Sequence, residues 1–403
     1  MWQHPGHDRE VPAGTPLKEG FSLTIHPVIV DLWRERCGIA HLGSLTLVPS
    51  HPLDDGVLAV RDFEPLAQAV TEPAMWDYLT NGAGDQRSLS ENIAAWQRPE
   101  FVPRVLVPAD DADTAVSIFN RRWPHPIALA PTAFQSSYHP EGEAGSLRGA
   151  LASGATYIQS TMSSVPLNEL GVIAREGNED GRGHWWFQTY LNPDRGVTRA
   201  LVESAVAAGA EAVVLTVDSP VLAARDADRR NNRHLMPDDG VQAHQRILNP
   251  VIDPLASWED IDWLREVSGV PVVVKGVLHP DDAVRAVDHG AAAVVVSNHG
   301  ARNLDTVVPT AQVLPHVVHA VAGRAHVLVD GGIRRGTDIV RALALGADAV
   351  LIGRPYVWAL ASHGAAGVQH CVEILRTELS MAMLLLGAPS RAELTAELFG
   401  LHL

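Results

Sequence analysis

From Pro126 to the C-terminal region the chain repeats one unit: a short run of apolar, largely β-branched residues, a turn, and then a helical period. The runs fall at 126–130, 155–159, 185–190, 212–217, 271–275, 293–297, 326–330 and 348–353. Helical periods fill the gaps at 141–153, 195–208, 258–267, 280–289, 310–321, 336–345 and 368–386. Strands this short that stay apolar throughout are covered on both faces, which is the habit of a parallel sheet. Eight such units in series close most simply into a (β/α)8 TIM barrel. An open doubly wound sheet is the alternative, but no GxGxxG follows the first strand, so a Rossmann dinucleotide site is not expected.

The region before the repeat divides in two. Residues 1–61 are rich in Pro, His and Gly with weak periodicity, and read as an extension carrying a short helix at 28–36. From residue 62, FEPLAQAV and EPAMWDYLTNGAGDQRSLSENIAAWQRPEF read as helices capping the barrel, followed by a short strand at 103–107. The expected organisation is therefore an extension (1–61) and a barrel domain with a helical cap (62–403). A net charge of −16 over 403 residues argues against a nucleic-acid partner, which needs a basic face. No apolar run approaches the roughly 18 residues that span a bilayer, and MWQHPGHDRE lacks a signal-type apolar core. His4-Pro5-Gly6-His7 reads as a leader rather than a metal site. Cys37 and Cys371 are too few for a disulfide scaffold or a cysteine-rich metal centre and fit the reducing cytoplasm. No metal is expected.

In such a barrel the chemistry sits where the strands end. Those ends carry Thr132 and Ala133; Ser163; Gln188 and Tyr190; Thr216 and Asp218; Lys275; Ser297 and His299; Asp330; and Gly353-Arg354. A strand-end Ser or Thr is more often a satisfied core hydroxyl than a ligand contact. A polar group near every end is harder to explain that way, because burying such groups unpaired is costly. The stretch VVVSNHGARNLD (294–305) runs a buried strand into His299, a glycine and Arg302, the arrangement of a base beside a cation. Lys275 ends VPVVVK, where it either snorkels or faces a developing negative charge. Asp218 either caps a helix or orients a histidine. Asp330-Gly331-Gly332 and Gly353-Arg354 each precede a helix, and glycines before a helix N-terminus suit a phosphate. The long connection 219–257 breaks the rhythm and reads as a lid or substrate loop.

These pieces resemble the FMN-dependent α-hydroxy acid oxidases and dehydrogenases: glycolate oxidase, lactate oxidase, lactate 2-monooxygenase and mandelate dehydrogenase. The matching segments include WDYLTNGAGDQRSLSEN, ALAPTAFQSSYHPEGE, WFQTYL, LTVDSP, VVVKGVLHPDDA, SNHGARNLD and VDGGIRRGTDIVRALALGADAVLIGRP, and they extend from Phe63 to the C-terminus. The resemblance implies His299 as the base with Asp218 as its partner. It implies Arg302 and Arg225 on the substrate carboxylate, joined by Tyr78, and Tyr190 on the substrate hydroxyl. Lys275 would stabilise reduced FMN. Thr132, Ala133, Ser163, Gln188, Thr216 and Ser297 would hold the isoalloxazine and ribityl chain, and Asp330, Arg334, Gly353 and Arg354 the ribityl hydroxyls and phosphate.

The activity so implied is oxidation of an L-2-hydroxy acid to the 2-oxo acid, with oxygen or another acceptor taking the electrons and hydrogen peroxide as the product with oxygen, in a homotetramer. Where many members carry a bulky aromatic residue after Ser163-Ser164, this chain has Val165, which suggests a bulky or aryl substrate side chain. Two further enzyme readings are a tailoring oxidase for a larger amino-acid-derived hydroxy acid and a decarboxylating, lactate 2-monooxygenase-like oxidation. A non-catalytic flavin-binding protein is disfavoured, because Tyr78, Tyr190, Arg225, Lys275, His299 and Arg302 are all present. Inosinate dehydrogenase-type barrels use a cysteine loop, and neither cysteine lies at a strand end.

Overall fold

The computed structural model describes residues 56–177, 185–231, 247–249 and 251–400; the helix expected at 28–36 lies outside them. Three helices come first: α1 (Phe63–Val70), α2 (Pro73–Thr80) and α3 (Arg87–Gln97). Glu72 caps α2 by accepting from Met75 N at 3.0 Å, and Pro73 takes the first turn, where its missing N–H costs nothing. α3 starts after Gln86, which is left-handed (φ 62) and gives no side-chain cap. The cap comes instead from Asp305, whose carboxylate accepts from Ser88 N at 2.8 Å and Arg87 N at 3.2 Å. A carboxylate there satisfies orphan amides and meets the positive end of the helix dipole.

Next comes an antiparallel hairpin, β1 (Val116–Ile118) and β2 (Arg121–Trp123). Its two turn residues, Phe119 and Asn120, have φ 48 and 61, the signs of the mirror-image turn that matches strand twist. The barrel strands follow as β3 (Ile127–Leu129), β4 (Thr156–Gln159), β5 (Trp185–Thr189), β6 (Val213–Thr216), β7 (Val272–Val277), β8 (Ala293–Val296), β9 (His326–Val329) and β10 (Ala349–Ile352). Each pairs in parallel with the next, and β10 returns to β3 with Val350 opposite Ile127, so the sheet closes. The helices between them are α4 (Gly142–Ser153), α5 (Leu167–Glu176), α6 (Arg195–Ala207), α7 (Asp226–Arg230), α8 (Glu259–Ser268), α9 (Pro280–Asp288), α10 (Thr310–Val321), α11 (Gly336–Ala344) and α12 (Arg354–Leu386). This is the (β/α)8 barrel the sequence implied.

Buried apolar residues form two bodies. The larger lies between the strands and the helices. The smaller fills the barrel interior, where Ile158, Trp186, Val214, Val273, Val295, Leu328 and Leu351 meet Val116, Ile118 and Trp123 of the hairpin. Trp123 packs on Trp186 near the start of β5, and Phe119 on His326 at the start of β9. The hairpin therefore plugs the N-terminal mouth, and only the C-terminal mouth is left for a site.

Three expectations need correction. Residues 103–107 form no strand; they are exposed between Pro103 and Pro108, with Leu106 left-handed (φ 58) and no neighbouring strand to pair with. Helix α5 and the hairpin were not anticipated. The last segment, Arg354–Leu386, is two helices joined at His363 and Gly364, whose backbone is not helical; the second contains the expected 368–386, and the first, starting at Arg354, was not anticipated. Among the described residues, no helix is long and apolar enough to cross a membrane.

Candidate active site

A cavity of about 430 Å3 opens at the C-terminal ends of the strands. Its lining includes strand-end residues: Ala130 to Phe134 after β3, Ser160 and Met162 after β4, Gln188 on β5 and Tyr190 just after it, Thr216 on β6 and Lys275 on β7. His299, Arg302 and Asn303 follow β8, Asp330 to Arg334 follow β9, and Gly353-Arg354 follow β10. Tyr78 and Leu79 of α2 close one side. Leu222, Ala223, Arg225, Asn249, Val251 and Ile252, from the connection after β6, also line the cavity, with Arg225 against Tyr78. That connection folds back on itself through a bridge between Val221 and Leu248.

His299 donates from Nδ1 to Asp218 Oδ1 at 2.8 Å. A carboxylate partner requires the proton on Nδ1, which leaves the Nε2 lone pair as the imidazole's base. Burial pushes the Asp218 carboxyl up, but the neighbouring His299 and Lys275 charges outweigh it and hold the group below its ordinary value. Asp218 can approach this closely because β7 bulges at Gly276 (φ 110), where a Cβ would lie 2.6 Å from the Asp218 side chain. Burial and then the Asp218 charge push the Tyr190 hydroxyl up, so it stays protonated.

Lys275 is nearly inaccessible. Its Nζ lies 3.0 Å from Asp330 Oδ2 and donates to Ser297 Oγ at 3.0 Å. Burial works against the ammonium charge, but Asp330 and Asp218 prevail and raise its pKa. Four guanidiniums share the cavity: Arg225, Arg302, Arg334 and Arg354. Arg225 and Arg302 lie against the Tyr78 ring, 5.3 and 4.7 Å from its centroid. Arg225 Nε is 2.7 Å from Asp228 Oδ2, at an angle that leaves its N–H without an aligned acceptor. Burial and then Arg302 push Arg225 down; burial and then Arg302 and Arg334 push Arg354 well down. Such mutual repulsion among buried cations is relieved by an anionic ligand.

The sequence expectations can be placed one by one. Tyr78, Thr132, Ala133, Gln188, Tyr190, Thr216, Arg225, Lys275, His299, Arg302, Asp330, Arg334, Gly353 and Arg354 all line the cavity. Asp218 and Ser297 stand one contact behind it, on His299 and Lys275. Ser163 does not line it: its hydroxyl closes a local turn with Val165 O at 2.8 Å. Val165 packs on the hydrophobic core instead of the cavity wall. Phe134, Met162, Leu222, Val251 and Ile252, which were not singled out, make an apolar wall. Phe134 was legible as the neighbour of Ala133. Val251 and Ile252 sit in a loop with no periodic signal.

The chain belongs to the FMN-dependent dehydrogenase family, whose profile it matches over residues 67–400. It is 43% identical to the L-lactate oxidase of Nostoc sp., a match covering 81% of this chain and 93% of that one. It is 41% identical to the 4-hydroxymandelate oxidase of Amycolatopsis orientalis, over 83% of this chain and 95% of the other. A crystal structure of mandelate oxidase superimposes with a TM-score of 0.76 at 40% identity, covering 84% of this chain and 97% of that one.

The cavity fits the family's cofactor on its own terms. Asp330 Oδ1 and Gln188 Nε2 are a buried acceptor and a buried donor with no protein partner among the described residues. Gln188 Oε1 already accepts from Ser160 Oγ and Thr161 N, which turns the donor end free. Gly331 and Gly332 are left-handed (φ 93 and 88), and a Cβ on Gly332 would lie 2.1 Å from Asn92 O. That approach packs α3 against the turn; the cavity-lining guanidiniums of Arg334 and Arg354, with Gly353 before the start of α12, are what suit a phosphate. The protein is an FMN-dependent enzyme.

Proposed function

We propose that the protein oxidises an L-2-hydroxy acid to its 2-oxo acid, with a preference for a bulky, aryl-bearing side chain. The observation that carries this is the convergence on one cavity of a carboxylate-oriented imidazole (His299–Asp218), two guanidiniums against one tyrosine ring (Arg225, Arg302) and a buried Lys275–Asp330 pair. Arg225 and Arg302 grip the substrate carboxylate, a task suited to planar, always-charged groups, with Tyr78 beside them. Tyr190, protonated, bonds the substrate hydroxyl. His299 accepts a proton at Nε2, and Asp218 stabilises the imidazolium that results. The chemistry FMN supplies when bound is acceptance of the two electrons the acid gives up, with oxygen as their final acceptor and hydrogen peroxide as the product.

Thr132, Ala133, Gln188, Thr216 and Ser297 are assigned to the isoalloxazine and ribityl side, and Ser163, whose hydroxyl is taken up by the Val165 backbone, is not. Lys275 is assigned to the anionic edge of the reduced ring, and Asp330, Arg334, Gly353 and Arg354 to the ribityl hydroxyls and phosphate. Support for an aryl side chain comes from the apolar wall of Phe134, Met162, Leu222, Val251 and Ile252, and from relatives that act on mandelate-type acids. The same reading makes residues 1–61 an extension and 62–403 the barrel domain, and has the enzyme act in the cytoplasm as a homotetramer. Self-association is supported by exposed apolar side chains on the end of α12 (Met381, Leu384, Leu385) and the adjoining loop (Val105, Leu106).

The test is anaerobic. The purified protein should be yellow and should bleach on addition of (S)-mandelate, with H299N retaining FMN and losing the bleaching. Full bleaching in H299N removes His299 from the role of base.

A further inference from the structure

His299 sits in a turn that the backbone resists. Three consecutive residues are left-handed: His299 (φ 57), Gly300 (φ 63) and Ala301 (φ 62). For residues that carry a Cβ this conformation is disfavoured, and it persists only where the surroundings over-determine it.

The turn is held by Ala83 N on Ala301 O (2.9 Å), Arg354 on Gly300 O (3.0 Å), His299 N on Ser297 Oγ (3.0 Å), and by an amide pair that reaches the helical cap. Asn298, the residue before His299, and Asn92, on α3 of the helical cap, are 6% and 2% exposed. Asn92 Nδ2 donates to Asn298 Oδ1 at 2.8 Å, and Asn298 Nδ2 donates back to Asn92 Oδ1 at 2.7 Å. The turn closes on the same side chain: Ala301 N donates to both Asn298 O (2.9 Å) and Asn298 Oδ1 (3.1 Å). One amide oxygen is thus shared between the cap helix and the strained turn. The same loop is tied to the start of α3 by the Asp305 cap and by Ser88, whose hydroxyl accepts from Val307 N and donates to Val307 O. Neither Asn92 nor Asn298 is among the residues lining the cavity.

We propose that Asn92 is a positioning residue for His299: through Asn298 it holds the left-handed turn that aims the imidazole, so the helical cap sets the geometry of the base without touching substrate. This rests on the reading of His299 as base. Removing one amide strands the other in a buried site, and the turn loses the restraint on its Asn298 side while keeping those from Ala83, Arg354 and Ser297. A displacement of the order of 1 Å at a reacting group costs roughly 100-fold in rate.

The experiment uses the full chain loaded with FMN, in N92A, N92D, N298A and the N92A/N298A double variant. FMN affinity of the apoenzyme is read by flavin fluorescence. The parameters kcat and KM are measured per bound flavin, and the isotope effect with a substrate deuterated at C2 is measured alongside. The expected result is little change in FMN affinity or KM, kcat lowered roughly 10- to 100-fold, and an increased isotope effect as C–H cleavage becomes limiting. The double variant should be no slower than N92A, because both members act through one contact. If N92A does not fold, N92D carries the test, since it keeps the size and one half of the pair. An unchanged kcat per bound flavin overturns the proposal, and so does loss of activity only in step with lost folding or lost flavin. H299N separates the two readings. An active H299N removes the base and this inference with it; an inactive H299N beside a fully active N92A removes the inference alone.

Discussion

Oδ1 of Asp218 receives two donors, His299 Nδ1 at 2.8 Å and the Ser219 hydroxyl at 3.3 Å. The second bond runs from the hydroxyl, because an ionised carboxylate can only accept. Asn303 Nδ2 donates to Ser219 Oγ at 2.7 Å and to the Asp218 carbonyl at 2.8 Å, which holds the hydroxyl beside the carboxylate. Asp218 Oδ1 therefore accepts both bonds, while the buried Oδ2 has no hydrogen-bond partner among the described residues, and the imidazole facing Oδ1 has one tautomer.

Asp218→Asn should accordingly keep FMN and lose turnover. An amide cannot both accept from His299 and stabilise its charged form. The expected fall in kcat is roughly 100- to 10,000-fold, read in steady state after confirming flavin content. A loss of less than tenfold would mean that the pair is structural.

The same group predicts an acid limit to stability. Asp218 is held below its ordinary value in the folded chain. It thus contributes stability above its unfolded pKa of about 3.9, and that contribution is lost as pH falls through the lower folded value. Urea midpoints of wild type and D218N should differ most above about pH 4 and converge below it. Parallel curves across that range would contradict the assignment.

How far the chain could be read without its fold differs from part to part. The barrel strands are short β-branched runs, VVVK or AVVV, bounded by Gly, Pro or Asp, and those features act locally. The hairpin at 116–123 escaped notice because Arg121 and Arg122 face solvent and its turn is Phe119-Asn120, with no glycine to announce it. Residues 103–107 misled for the opposite reason: they are apolar, but no strand lies beside them. The site divides in the same way. Polar residues at apolar strand ends are conspicuous, whereas Val251 and Ile252 reach the cavity only because the connection after β6 folds back. The Asn92–Asn298 pair joins residues that no local pattern connects.

Lys275 and Asp330 form the most buried ion pair of the site. Lys275→Met should leave a stranded carboxylate and cost about 3–5 kcal/mol of stability, with weaker FMN binding. The Lys275→Met/Asp330→Asn double variant should recover part of that loss, because no unpaired charge remains. Lys275 is raised above its ordinary value, so its contribution is full below the unfolded value of about 10.4 and is lost as pH rises through the folded one. Chemical denaturation of the apoenzymes at pH 7 reads the stabilities. A single variant as stable as wild type would show that the pair adds nothing.

The apolar wall sets the last prediction. Leu222 stands on the connection after β6, far from Phe134 and Met162 in sequence but within the same cavity lining. Leu222→Trp adds bulk where the side chain of an aryl substrate is proposed to lie and leaves Arg225, Arg302 and His299 unaltered in kind. Overpacking a filled apolar site costs about 1–3 kcal/mol, which is a roughly 5- to 150-fold loss in kcat/KM for (S)-mandelate. Glycolate, with no side chain to displace, should be turned over as before. The ratio of the two specificity constants is the measurement, because a general loss of active enzyme cancels from it. If both fall together, the wall does not select the side chain, and the preference for aryl acids must come from elsewhere in the cavity.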